Sequence, residues 1–159
     1  MYQIANIFLP DEKATNRLGA WLGGVLGDGD ILCLSGDLGA GKSMLARGLI
    51  QSFIPGTPAP SPTFTFVETY EAPSLVIWHY DLYRLEKPED IWELGLEEAL
   101  EGGLLIIEWP ERAQAIIPTN ALSMTLKIDG SQRTALIRGN NHWQRRLKRV
   151  KFFNAEERR

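Results

Sequence analysis

The sequence predicts an α/β protein, a three-layer sandwich around a mainly parallel sheet with antiparallel strands added. Three observations carry that expectation. Short apolar runs alternate with amphipathic helical stretches through the first two thirds of the chain. Two of the runs, Ile31–Leu34 and Leu104–Ile107, are apolar at every position, as strands covered on both faces must be. Two late strand-like segments are joined by the polar turn Asp129-Gly130-Ser131-Gln132, which reads as a closing hairpin. A chain of 159 residues suits one domain, large enough to need no disulfide or metal staple.

Each element follows from its local residues. Gln3 to Leu9 reads as a strand ended by Pro10, with Asp11 as N-cap of the next helix. Leu18, Trp21, Leu22 and Val25 recur at helical spacing and carry that helix from Ala14 to about Leu26. The turn cluster Gly27-Asp28-Gly29-Asp30 leads into a buried strand, Asp30 to Leu34, and Met44 to about Phe53 is helical. Pro55 to Pro62 holds four prolines in eight residues and cannot be regular structure. Thr63 to Tyr70 alternates as a strand, and Leu75 to Tyr83 pairs with it. Pro88-Glu89-Asp90 opens a helix through about Leu100, with proline in the first turn and acids favouring its N-terminal dipole. Leu104 to Glu108 is a further buried strand, and Ala121–Ile128 with Thr134–Arg138 form the hairpin.

Composition narrows the function classes. Hydrophobic residues at 44% and charged residues at 23% exclude wholesale disorder. No apolar run approaches the roughly 18 residues of a membrane helix. Met1 to Pro10 lacks the basic and apolar regions of a secretory signal. Cys33 is the single cysteine and sits in an apolar run, so a buried structural thiol in a reducing compartment is expected. The expectation is a soluble cytoplasmic domain. Residues 1–141 hold 10 Lys and Arg against 18 Asp and Glu, whereas residues 142–159 hold 7 against 2. The acidic body argues against a broad nucleic-acid-gripping face. Residues 1–141 therefore read as the working domain and 142–159 as a basic, helical tail. Trp143, Leu147 and Val150 share one face of that tail, which suits a solvated amphipathic helix on the acidic body. Contact with a partner or with a nucleic acid is the rival reading, membrane binding has little support, and self-association stays open.

The chemistry sits in Gly36-Asp37-Leu38-Gly39-Ala40-Gly41-Lys42-Ser43, a full match to G-x-x-x-x-G-K-[ST] between an apolar strand and a helix. A random chain of this length would show the pattern about once in 200. Glycines let consecutive N–H groups turn inward on phosphate oxygens, Lys42 adds charge near the β/γ-phosphates, and the Ser43 hydroxyl is placed for Mg²⁺. The sandwich is thus P-loop NTPase-like. No Asn-Lys-x-Asp guanine reader is present, which favours ATP.

A P-loop enzyme also needs an acid at a neighbouring strand end, and both Asp81 and Glu108 follow apolar strands. Thr63 and Thr65 lie at the distance from Lys42 where GTPases carry a switch threonine. Trp109 reads as core filler or as a residue sent opposite to Glu108 or onto the following loop. His79 reads as a core or hydrogen-bonded histidine, and the scattered His and Cys support no zinc site.

Further blocks are more specific than the P-loop. Leu9-Pro10-Asp11-Glu12 with Thr15, Ser61-Pro62-Thr63-Phe64-Thr65 with Val67-Glu68, His79-Tyr80-Asp81-Leu82-Tyr83-Arg84-Leu85 and Glu108-Trp109-Pro110 occur in order around it. Over about residues 4–139 the chain resembles the TsaE (YjeE) family, the ATPases of bacterial tRNA threonylcarbamoyladenosine formation. The resemblance implies ATP (with ADP as product), Mg²⁺, weak intrinsic hydrolysis, and the partners TsaD and TsaB, with tRNA reached through the complex. It implies Ser43 and Glu108 as Mg²⁺ ligands and Asp81 as positioner of the attacking water or of a Mg²⁺ water. It also implies Trp109 on the nucleotide-sensing side, Thr63 with Thr65 in a switch-like segment, and Asp11 near the adenine. Ser43 stands where the family commonly has threonine, which keeps the hydroxyl. The family's late Gly-Arg is here Gly130 and Arg133 separated by Ser131-Gln132, which bears on Arg133 as a nucleotide contact. A P-loop small-molecule or nucleoside kinase is the alternative, weakened because Arg112 is the only basic residue between Glu108 and Asn120. A nucleotide-dependent binding module without hydrolysis is a third reading, and two acids at the site argue against it.

Overall fold

The computed structural model describes residues 1–155, so residues 156–159 of the expected tail lie outside the described residues. Its strands are β1 (Tyr2–Leu9), β2 (Ile31–Ser35), β3 (Val67–Glu71), β4 (Val76–Asp81), β5 (Leu104–Glu108), β6 (Leu122–Asp129) and β7 (Gln132–Gly139). Its helices are α1 (Glu12–Gly23), α2 (Lys42–Phe53), α3 (Leu96–Glu101) and α4 (Asn141–Lys148). The strands form one sheet in the order β1-β7-β6-β2-β5-β4-β3. The central four, β6, β2, β5 and β4, are parallel, while β3, β7 and β1 are added antiparallel. The expected α/β architecture is present.

Strand alternation explains the three layers. Leu32, Leu34, Leu104 and Ile106 point to one face, where they pack with α1, α2 and α4. Ile31, Cys33, Leu105 and Ile107 point to the other, against Ile91, Leu96, Ala99, Ala113 and Ile117. Both faces are covered, so β2 and β5 have no position for a polar residue before their ends. Helices α1 and α2 meet at Gly19 and Gly48: a Cβ on either would stand 2.1 Å from a backbone oxygen of the other helix. No helix among the described residues is long and apolar enough to cross a membrane.

Several element boundaries differ from expectation. The strand expected from Thr63 begins at Val67, because residues 63–66 form a turn closed by Phe66 N donating to Pro62 O at 2.8 Å, with Phe66 at φ 67°. The single helix expected from Pro88 to Leu100 is a 3₁₀ turn, Pro88–Leu94, followed by α3. They are split at Gly95 (φ 78°), where the Trp78 ring leaves no room for a Cβ beyond 3.0 Å. Helix α1 starts at Glu12, directly behind the Asp11 cap, and ends at Gly23 rather than Leu26. Helix α2 starts two residues early, at Lys42 itself, and the last hairpin is tightened to Gly130-Ser131.

The C-terminal segment packs on the domain. Asn140 caps α4 by accepting from Trp143 N at 3.2 Å, and Trp143 and Leu147 are buried in the same core as α1 and α2. Arg146 grips Asp30 with both terminal nitrogens, at 2.8 and 2.6 Å. Beyond α4 the chain crosses α1, where Trp21 Nε1 donates to Lys151 O at 3.0 Å and the Trp21 ring packs tilted against that of Phe152, 4.9 Å between centroids. Arg145, Lys148 and Arg149 face solvent.

Candidate functional site

Parallel register brings three strand ends level. Leu34 of β2 pairs with Glu108 of β5, and Asp81 of β4 pairs with Glu108 from the other side. From β2 the chain enters the loop Gly36–Gly41, in which Gly36, Gly39 and Gly41 all have positive φ. A Cβ at Gly36 would stand 2.5 Å from Leu126 O, so the loop's entry admits only glycine. Thr15 of α1 lies against Gly41. Asp37 O accepts from Ala40 N at 3.0 Å, which tightens the curl. The first α2 amide bond runs from Leu45 N to Gly41 O at 2.9 Å, so the amides before it are the helix's unpaired N–H groups. They point, with the positive end of the helix dipole, at whatever anion the loop encloses.

Around this loop is a cavity of about 250 Å³, lined by Leu38, Gly39, Gly41, Lys42, Ser43, Ser61, Thr63, Asp81, Tyr83, Glu108 and Trp109. The Lys42 side chain folds back in it. Its Nζ donates to Gly36 O and, at 3.1 Å, to Asp37 O, and stands 4.1 Å from the Trp109 ring centroid. Burial lowers the Lys42 pKa, against the pull of the carboxylates of Glu108, Glu111, Asp81 and Asp37.

The two acids are both buried. Glu108, 2% exposed, accepts from Ser43 Oγ at 3.4 Å through Oε1, and its Oε2 lies 2.7 Å from His79 Nε2. Asp81, 6% exposed, accepts through Oδ2 from Ser61 Oγ (3.4 Å) and Thr63 Oγ1 (3.3 Å), and through Oδ1 from Tyr83 N (3.0 Å). A hydroxyl and a carboxylate at the mouth of a phosphate-shaped loop suit a hard cation that shares its shell with phosphate and water, as Mg²⁺ does. Among the described residues no three His, Cys, Asp or Glu side chains converge as a metal cage.

Trp109 leaves β5 at φ 58°, so the alternation that would carry it away from Glu108 is broken and its ring turns back over Lys42 and to 4.8 Å from the Tyr83 ring. Thr63 reaches Asp81, but Thr65 is exposed and bonds Glu68 Oε1 at 3.0 Å, outside the cavity. Arg133 lies against the P-loop despite the two-residue separation from Gly130, with Nη2 donating to Gly39 O at 3.2 Å. Within the loop Leu38 is exposed and Ala40 buried. Asp11 does not line the cavity; its carboxylate accepts from Ala14 N at 2.8 Å. His79 and Ser61 also belong to the site, and the sequence alone does not single them out as site residues. The signal for His79 was its place two residues before Asp81 on one strand, which puts both on one face.

Strand, glycine loop and helix, with a hydroxyl at the helix start and acids at two level strand ends, define a P-loop nucleotide-binding fold. The family model "Threonylcarbamoyl adenosine biosynthesis protein TsaE" matches residues 9–136, and the chain belongs to that family. It is 42% identical over 135 residues to the tRNA threonylcarbamoyladenosine biosynthesis protein TsaE of Rickettsia conorii, covering 84% of this chain and 77% of that one. Its likeness to the TsaE of Nostoc is 43% over 115 residues (69% and 70% covered), and to that of Haemophilus influenzae 36% over 117 residues (70% and 74%). Among solved structures, YdiB from Bacillus subtilis shares the fold with a TM-score of 0.76 at 22% identity, covering 91% of each chain.

Proposed function

We propose that this chain is a cytoplasmic, Mg²⁺-dependent ATPase of low intrinsic activity. In this reading it works with TsaD and TsaB to form threonylcarbamoyladenosine in tRNAs that read codons beginning with A. The carrying observation is the 3.4 Å approach of Ser43 Oγ and Glu108 Oε1 at the P-loop mouth, with Asp81 in the same cavity. Family membership supports the tRNA-modification setting.

Bound Mg²⁺ supplies charge that neutralises the phosphate oxygens during transfer. The chain's own residues do the rest. The N–H groups of Gly41, Lys42 and Ser43 hold phosphate, and Lys42 exchanges the carbonyls of Gly36 and Asp37 for it. Ser43 and Glu108 are the proposed metal ligands. Asp81 orients water, held meanwhile by the Ser61 and Thr63 hydroxyls, so a shift of that turn is felt by the carboxylate. Trp109, stacked on Lys42, senses the exchange. Arg133 approaches the loop from the late hairpin, and Asp11 is proposed beside the adenine on the strength of the family resemblance.

The test is phosphate release by the wild-type chain, with Lys42→Ala as blank, with and without purified TsaD and TsaB. Turnover that is feeble alone and rises several-fold with both partners supports the reading. Brisk partner-independent turnover, or phosphate transfer to a small acceptor, overturns it in favour of a kinase.

A further inference from the structure

Strand β4 is apolar apart from three polar-tipped residues, His79, Tyr80 and Asp81, and alternation sends His79 and Asp81 to the face that carries α2. Asp81 opens onto the cavity. His79 lies one step deeper, 1% exposed, between its register partners Ile106 of β5 and Glu68 of β3. Its Nε2 stands 2.7 Å from Glu108 Oε2, whereas its buried Nδ1 has no hydrogen-bond partner among the described residues. A buried imidazole with one orphaned nitrogen is a poor core residue, because an apolar side chain of that size would fill the space without the desolvation cost. The one hydrogen bond it makes among the described residues is to the carboxylate beside Ser43.

We propose that His79 is a positioning residue for the Mg²⁺ site, resting on the reading of Ser43 and Glu108 as metal ligands. A carboxylate only accepts, so Nε2 carries the hydrogen of this bond. Holding Oε2 leaves Oε1 turned toward Ser43 Oγ at 3.4 Å. Glutamate has three rotatable bonds, and a side chain already ordered in the binding rotamer does not lose that freedom when the ion arrives. Ser43 comes from α2, Glu108 from β5 and His79 from β4, so one hydrogen bond ties the ligand pair to the neighbouring strand.

The experiment titrates the fluorescent N-methylanthraniloyl derivative of ADP into wild type, His79→Leu and His79→Gln, first in EDTA and then across Mg²⁺ concentrations, with thermal melting alongside. His79→Leu is expected to raise the Mg²⁺ concentration for half-maximal tightening about tenfold or more while leaving the metal-free affinity unchanged. His79→Gln, which keeps an N–H at similar reach, is expected to recover most of that loss. If His79→Leu does not fold, His79→Asn, whose amide stops short of Glu108, is expected to show the same loss against His79→Gln. A wild-type Mg²⁺ midpoint in the variants that lack the N–H, or an equal loss of metal-free affinity, overturns the positioning role. Wild-type binding that ignores Mg²⁺ overturns the metal-site reading itself, which separates the two failures.

Discussion

Glu108 and Asp81 are register partners on adjacent strands, equally buried, yet they are held by different kinds of structure. Glu108 is fixed from the frame of the molecule, by His79 on β4 and Ser43 on α2. Asp81 is fixed from a loop, by Ser61 and Thr63 at the end of the proline-rich stretch and just beyond it, and by the amide of Tyr83. A carboxylate tied to sheet and helix keeps one orientation for a metal. A carboxylate tied to two loop hydroxyls changes orientation when the loop moves, and under the proposed function that is where a partner protein acts on the chemistry. Substitutions in the frame should therefore cost stability first, and substitutions in the loop should cost turnover first.

The largest effect is expected in the frame. Gly48→Ala puts a methyl 2.1 Å from Asn16 O, against backbone that cannot yield without parting α1 from α2. It should cost about 3 kcal/mol, read as a fall in Tm of about 6–12 °C. Next comes Asp81→Asn, which keeps the shape and removes the charge. Turnover should fall about 100-fold, or ~2.7 kcal/mol of barrier. Nucleotide affinity and Tm should stay near wild type, as stopped-assay kinetics and melting will check. A Tm loss rivalling that of Gly48→Ala would erase the distinction between the two regions.

What could be read without coordinates follows the same division. The P-loop, Glu108 and Asp81 were legible because each is announced by neighbours in sequence: glycines at fixed spacing, or an acid closing an apolar strand. The α/β sandwich was legible because β2 and β5 are apolar on both faces. His79 was not, since a lone histidine on an apolar strand looks like core and its partner lies 29 residues on, in another strand. Alternation alone reads Trp109 as opposite to Glu108 or on the following loop, and only the family resemblance implies the nucleotide side; its positive φ turns the ring into the cavity. Thr63 looked like strand because the segment alternates, but the turn at Pro62–Phe66 competes locally and wins. The burial of Trp143 and Leu147 needed the position of β7 relative to α1, which no local pattern carries.

A smaller effect belongs to the loop. Thr63→Val removes one hydroxyl from Asp81 Oδ2 and leaves Ser61 in place. One hydrogen bond to a charged group is worth ~1.5 kcal/mol, so turnover should drop about tenfold with melting unchanged. If Thr63→Val melted early instead, the loop would be part of the frame and the comparison would fail on its softer side.

The smallest effect probes the frame from behind. Cys33 sits on β2, on the sheet face away from α2, and burial, with Glu111 adding to it, pushes its thiol from 9.0 to about 12. Between those values the unfolded chain loses the thiol proton while the native chain keeps it. The native state then binds more protons than the unfolded one, so its stability falls as pH rises through this window. Cys33→Ala should flatten that part of the stability–pH curve and leave its slope below pH 8 unchanged, over a uniform small loss from the truncated side chain. Thiol labelling of the native chain at pH 9 should wait on opening of β2 from its neighbours, and because β2 runs into the P-loop, saturating nucleotide should slow it. Labelling that is fast, or that nucleotide leaves unchanged, would show that Cys33 is reached by a local motion that leaves the loop intact.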